Sequence, residues 1–216
     1  MHIVEKFISI NGEGRYAGEL AVFIRFPGCN LRCSYCDTMW ANEEGCETLE
    51  VTIEELLTFV IDSGTKHVTI TGGEPLLQPT VFQLCKALYE QHLLIEIETN
   101  GSVDLSPFLE DIPFVSFTMD YKMPSSHMEE HMHLPNLALL RPSDTLKLVS
   151  GSSQDLEKAL ELIPLVDNDL PIYLSPIFGE IEPCEMVDFI VTHQLSRLKL
   201  QLQLHKFIWP PEARGV

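Results

Sequence analysis

Short β-branched runs alternate with amphipathic helical runs along this chain, and few folds accommodate that order. "VEKFISI" and "LAVFIRF" read as strands flanking the turn-rich "NGEGRYAG". "TIEELLTFVIDSG" has apolar residues at helical spacing, with Thr52 and Glu55 placed as a capping box and Gly64 as the stop. "HVTIT", "LLIEIETNG", "PFVSFTMDY", "TLKLVSG", "PIYLSPIFG" and "RLKLQLQ" are further strand candidates. "PTVFQLCKALYEQH" is a further helix, opened at Pro79 after the turn "GGEPLLQ". Helical patterns near residues 153 to 163 and 183 to 194 separate the last three strands.

Strands alternating with helices predict right-handed βαβ units and a mainly parallel sheet. The 216 residues fall short of the roughly 250 typical of a complete eight-stranded barrel, so the expected α/β fold is an incomplete, open TIM-like barrel. No repeat, low-complexity tract or linker divides the chain. It reads as a single domain over residues 1–216, with an N-terminal strand pair at about 3–26 and a cysteine loop at 27–40. In such sheets the active site lies at the carboxyl ends of the strands, where the loops gather. The cysteine loop, "TGGEP", "ETNG", "MDYKMP" and "SPIFGE" all fall on that side.

The cysteine loop, "GCNLRCSYCDT", holds Cys29, Cys33 and Cys36 at C-x3-C-x2-C spacing. A structural zinc site wants four closed ligands, commonly two distant C-x2-C pairs, and the second pair is absent. A cubane iron–sulfur cluster normally takes four thiolates. Three on one tight loop would leave one iron open to a small molecule. Gly28 and Asn30 suit the sharp turns such a loop needs. The remaining thiols are scattered, unlike a secreted disulfide scaffold. Cys85 and Cys184 read as small buried hydrophobes and Cys46 as an idle loop thiol. His127, His131 and His133 have partly zinc-like spacing, but their segment is bounded by proline and reads as a mobile polar loop.

The formal charge of −18 gives an acidic surface that repels phosphate backbones, so nucleic-acid binding is not expected. No apolar run is long enough for a membrane helix, and the N-terminus has no signal-peptide architecture. A cytoplasmic enzyme is expected.

"CNLRCSYC" resembles the signature of the radical S-adenosylmethionine (SAM) superfamily, and "TGGEP" resembles its GGEP motif. The resemblance implies a 4Fe-4S cluster on Cys29, Cys33 and Cys36, with SAM on the open iron. It sets Tyr35 by the adenine and Gly72, Gly73 and Glu74 by the methionine amino group. Nearly the whole chain is similar to the 7-carboxy-7-deazaguanine synthases, through "FISINGEGRYAGELAVFIRFPGCNLRCSYCDT", "TGGEPLLQ", "ETNG", "KMPSS" and "QLHKFIWPPEARGV". That family converts 6-carboxy-5,6,7,8-tetrahydropterin to 7-carboxy-7-deazaguanine with loss of ammonia, in queuosine biosynthesis.

By the same resemblance, Ile10, Asn11, Gly12, Glu13, Arg25, Thr71, His205 and Val216 contact the pterin. Arg25 suits the substrate carboxylate, because a guanidinium binds one bidentately. Glu13 suits the guanidine-like pterin edge. Asp37, Asp120, Tyr121, Lys122 and Ser150 are the remaining cofactor contacts, although "DYK" stands where many relatives carry Ser-Pro-Lys. Mg2+ is implied on Thr38, the kind of hard-cation site that keeps its waters. A reductant protein such as flavodoxin or ferredoxin, and a homodimer, are the implied partners. Two other readings compete: a glycyl-radical-enzyme activase, and a non-catalytic iron–sulfur or zinc binding module.

Overall fold

The computed structural model describes residues 1–216 apart from Asn168 and Glu212. After β1 (His2–Ile3), the strands β2 (Glu5–Ile10) and β3 (Leu20–Phe26) form an antiparallel hairpin; β4 (Leu49–Glu50) pairs only with β1. The helix α1 (Ile53–Ser63) leads to β5 (His67–Gly72), α2 (Val81–Glu90) to β6 (Leu94–Thr99), and α3 (Ser106–Asp111) to β7 (Ser116–Tyr121). The short α4 (Asn136–Leu139) precedes β8 (Thr145–Ser150). Then come α5 (Ser153–Leu162), β9 (Ile172–Pro176), α6 (Pro183–Thr192), β10 (Leu198–Leu200) and α7 (His205–Ile208).

The eight-stranded sheet runs β10-β9-β8-β7-β6-β5-β3-β2, and every pair except β2–β3 is parallel. Its edge strands β2 and β10 do not pair with one another, so the barrel stays open. Side-chain and backbone hydrogen bonds span the gap instead. Gln201 donates to the Gly14 carbonyl at 2.9 Å and accepts the Gly14 N–H at 2.6 Å, and the Leu204 N–H reaches the Gly12 carbonyl at 3.0 Å.

Alternation along the strands sets two environments. Val68, Ile70, Ile95, Ile97, Phe117, Met119, Leu146 and Leu148 join the apolar core that the helices cover. The intervening Thr69, Thr71, Glu96, Glu98, Thr118, Asp120 and Lys147 therefore face the barrel interior. A fully packed parallel barrel is apolar on both faces; this one keeps a polar interior and with it a cavity.

The local signals act as their chemistry dictates. Thr52 accepts the Glu55 N–H while the Glu55 carboxylate accepts the Thr52 N–H, and Gly64 closes α1 in the left-handed conformation at φ 70°. Two expectations differ. The helix opens at Val81 rather than Pro79, because Pro75–Leu77 first makes a separate 3-10 turn. Cys184 is exposed, because α6 buries Met186 and position 184 lies about 200° around the helix from it. Cys85 is fully buried, as its apolar helix requires.

Candidate active site

A cavity of about 710 Å3 opens at the carboxyl ends of the strands, and Cys29, Cys33 and Cys36 all line it. They sit on the loop leaving β3. The loop after β5 is zipped against it, with the Gly73 N–H on the Phe26 carbonyl at 3.0 Å and the Glu74 N–H on the Gly28 carbonyl at 2.9 Å. Glycine is required for that approach. A Cβ on Gly72 would lie 2.2 Å from the Phe26 oxygen, and one on Gly73 would lie 1.9 Å from the Gly28 oxygen. The two glycines thus hold the cysteine loop in place as well as lining the cavity.

The thiols suit ligation by an iron–sulfur cluster. Cys29 Sγ accepts the Leu31 N–H and the Asn100 side-chain N–H, both at 3.4 Å, the kind of N–H···S bond that supports a thiolate. Asn100 also donates to Asn30 Oδ1 at 3.1 Å, and Ser34 donates to the Ser125 carbonyl at 2.6 Å. Loops from three strands therefore brace the cysteine loop. Among the described residues no three His, Cys, Asp or Glu side chains converge on one metal ion. Cys29, Cys33 and Cys36 make no such group, and neither do His127, His131 and His133. That histidine segment is built of two 3-10 turns, Pro124–Ser126 and Glu129–His131.

Several predicted residues meet at the cavity. Ile10, Gly12, Glu13, Arg25, Tyr35, Asp37, Thr38, Thr71, Asp120, Lys122, His205 and Val216 all line it. Arg25 stands directly across the hairpin from Glu5, and its Nε donates to Glu5 Oε1 at 2.8 Å. That leaves the terminal nitrogens of its guanidinium without a hydrogen bond among the described residues. Thr38 Oγ1 lies 3.6 Å from Cys36 Sγ. His205 packs on the NGEG turn so closely that a Cβ on Gly12 would lie 2.5 Å from its Nδ1, and burial holds its imidazole below the ordinary range. His205 opens α7. Asp37 pairs with Lys206 at 3.2 Å.

Four predicted residues do not line the cavity. Glu74 is fully buried: one oxygen accepts the Leu76 N–H at 3.0 Å and the Thr99 hydroxyl at 2.9 Å, and the other accepts the Asn100 N–H at 2.7 Å. All its contacts are internal, so it braces two loops. Tyr121 and Ser150 fall on the helix-facing side, in step with Met119 and Leu148, because strand side chains alternate with a period of two. Asn11 accepts the Thr69 hydroxyl at 2.8 Å beneath the cavity and is buried.

Lys147 was not singled out in the sequence. It is 8% exposed and lines the cavity, 3.1 Å from Glu13 and 3.4 Å from Asp120. Burial pulls its ammonium down, but Glu13 and Asp120, helped by Glu98, hold it well above the ordinary range. Asp120 is lowered because Lys122 and Lys147 outweigh its own burial. Glu98 lines the cavity as well. Both were legible as polar positions in alternating strands, but alternation does not distinguish a solvated face from a barrel interior.

The Radical SAM superfamily model matches residues 23–164. The 7-carboxy-7-deazaguanine synthase of Clostridium acetobutylicum is 48% identical over 99% of this chain and 98% of its own length. That of Chlorobaculum tepidum is 38% identical over 100% and 97%. The crystal structure of QueE from Escherichia coli superposes with a TM-score of 0.74 at 24% identity, covering 93% of each chain, which shows a shared fold. The chain belongs to the 7-carboxy-7-deazaguanine synthase family of the radical SAM superfamily.

Proposed function

We infer that this chain converts 6-carboxy-5,6,7,8-tetrahydropterin to 7-carboxy-7-deazaguanine with loss of ammonia. The observation that carries this is near-full-length identity of 48% to a 7-carboxy-7-deazaguanine synthase. A 4Fe-4S cluster and SAM are the cofactors; when bound, they supply a 5′-deoxyadenosyl radical that takes a hydrogen from the substrate.

The chain's own residues bind and orient. Cys29, Cys33 and Cys36 are the cluster ligands. Tyr35, Gly72, Gly73, Asp120 and Lys122 form the SAM side of the cavity. Arg25, already fixed through its Nε by Glu5, offers its free terminal nitrogens to the substrate carboxylate. Glu13 Oε1, buried and without a hydrogen-bond partner among the described residues, is an acceptor for the pterin's N–H edge. Thr71, His205 and the Ile10–Gly12 backbone complete the substrate side, with Val216 at its rim. Thr38 is the Mg2+ ligand, and the ion would share the substrate's negative charge. Glu74, Tyr121, Ser150 and Asn11 act behind the wall as supports. We further propose one domain over residues 1–216, cytoplasmic location, a homodimer, and reduction by a flavodoxin or ferredoxin.

The test is anaerobic: reconstituted protein is given reductant, SAM, Mg2+ and 6-carboxytetrahydropterin, and the product is read by mass spectrometry. Formation of 7-carboxy-7-deazaguanine is expected. 5′-Deoxyadenosine without it would sink the substrate, and no SAM cleavage would return the chain to a binding module. Omitting Mg2+ tests the Thr38 site.

A further inference from the structure

A ladder of alternating charge crosses the cavity wall from β7 to the segment after β10. Lys122 Nζ lies 2.9 Å from Asp120 Oδ2, and Lys147 Nζ lies 3.4 Å from that same oxygen. Lys147 Nζ then lies 3.1 Å from Glu13 Oε2, which Gln203 Nε2 also approaches at 3.3 Å. Among the described residues, Lys147 is the cation that touches both carboxylates. Each carboxylate spends one oxygen on the ladder. The other oxygens, Glu13 Oε1 and Asp120 Oδ1, are buried and have no hydrogen-bond partner among the described residues.

A buried carboxylate oxygen without a donor is costly, so two on residues of one cavity wall mark where a ligand's N–H or O–H groups belong. Lys147, in contact with both carboxylates, fixes their rotamers and so aims the two remaining oxygens.

We propose that Lys147 is a positioning residue for the pterin: it holds the Glu13 carboxylate in place as an acceptor for the substrate's aminopyrimidinone N–H groups, and ties that acceptor to Asp120 on the cofactor side. This rests on the substrate reading above. Gln203, reaching the same Glu13 oxygen from the carboxyl-terminal segment, completes the fixture across the open side of the barrel.

The test is calorimetric titration of 6-carboxypterin, a non-reacting oxidised analogue, into the cluster-loaded, SAM-bound enzyme. Lys147→Met is expected to weaken binding roughly 10-fold or more, the loss of one charge-assisted contact. Lys147→Arg is expected to recover most of it. The Glu13→Gln/Lys147→Met double variant is expected to bind no more weakly than Glu13→Gln alone, because Lys147 acts through Glu13. Iron content reports that each variant keeps its fold, and Lys147→Gln, which retains a neutral donor of similar reach, serves where Lys147→Met does not fold. A dissociation constant within twofold of wild type in the neutral variant, or additive losses in the double variant, would overturn the proposal. Turnover of 6-carboxytetrahydropterin by wild type is followed in parallel. Absent product with these binding differences intact sinks the substrate reading alone. Normal product with unchanged binding in the variants sinks the positioning role alone, and no analogue binding by wild type overturns both.

Discussion

Glu74 accepts the backbone N–H of Asn100 at 2.7 Å, and through that bond the loop after β5 is fixed to the loop after β6. Asn100 in turn donates to Cys29 Sγ at 3.4 Å. A carboxylate outside the cavity therefore orients a donor to a thiol of the cysteine loop. Glu74→Gln would turn one acceptor into a donor facing N–H groups, and is expected to cost about 2–3 kcal/mol in a denaturant melt, with reduced iron retention. An unchanged midpoint would show that the brace carries nothing.

Iron content separates ligand thiols from packing thiols. Cys33→Ala is expected to abolish cluster binding. Cys85→Ala, deep in α2, is expected to keep it while losing about 1 kcal/mol of stability, as for a small core deletion. Equal iron in both variants would refute the ligand assignment.

Much of this architecture was legible because each strand carries its own alternation. "HVTIT" and "TLKLVS" announce one apolar and one polar face, and the capping box at Thr52 announces a helix start. The same alternation could have set Tyr121 apart from Asp120 and Lys122, since neighbours in a strand point to opposite faces. Lys147 stayed hidden for a different reason. A lysine between leucines in a strand ordinarily faces water; here sheet curvature turns that face inward, and curvature is a property of all the strands together. Glu74 was legible as part of a motif, but its three internal bonds depend on where β6 ends.

Glycine at position 73 is a steric demand. Gly73→Ala places a methyl 1.9 Å from the Gly28 oxygen, backbone against backbone. The expected result is a loss above about 3 kcal/mol, with failure to retain iron. Gly18→Ala meets no atom within 4 Å and carries only the strain of φ +87°, so a loss of about 1 kcal/mol is expected. Comparable losses in thermal melts would contradict the close approach.

Glu96, beneath the cavity, supplies a pH signature. Burial pushes its carboxyl up to about 7, against the pull of the Thr118 hydroxyl. The folded state thus holds a proton that the unfolded chain releases near pH 4.5. The stabilisation is full below that pH and is lost as pH rises through about 7. Glu96→Gln keeps an acceptor for Thr118 without the charge. Relative to wild type it is expected to gain about 3 kcal/mol at pH 8 and nothing at pH 4.5 in paired denaturant melts. A gap independent of pH would rule out the raised carboxyl.

The bonds from Gln201 to Gly14 join residues 187 positions apart, whereas Asn100 and Cys29 are separated by 71. Loop closure must precede the contact that rewards it, so widely separated pairings form late. The cysteine loop and its braces can therefore assemble while the join between Gly14 and Gln201 is still unmade. Pulse-labelled hydrogen exchange is expected to protect Asn100 before Gly14, and simultaneous protection would contradict that order. The barrel would be ready for its cluster before it has a place for its substrate.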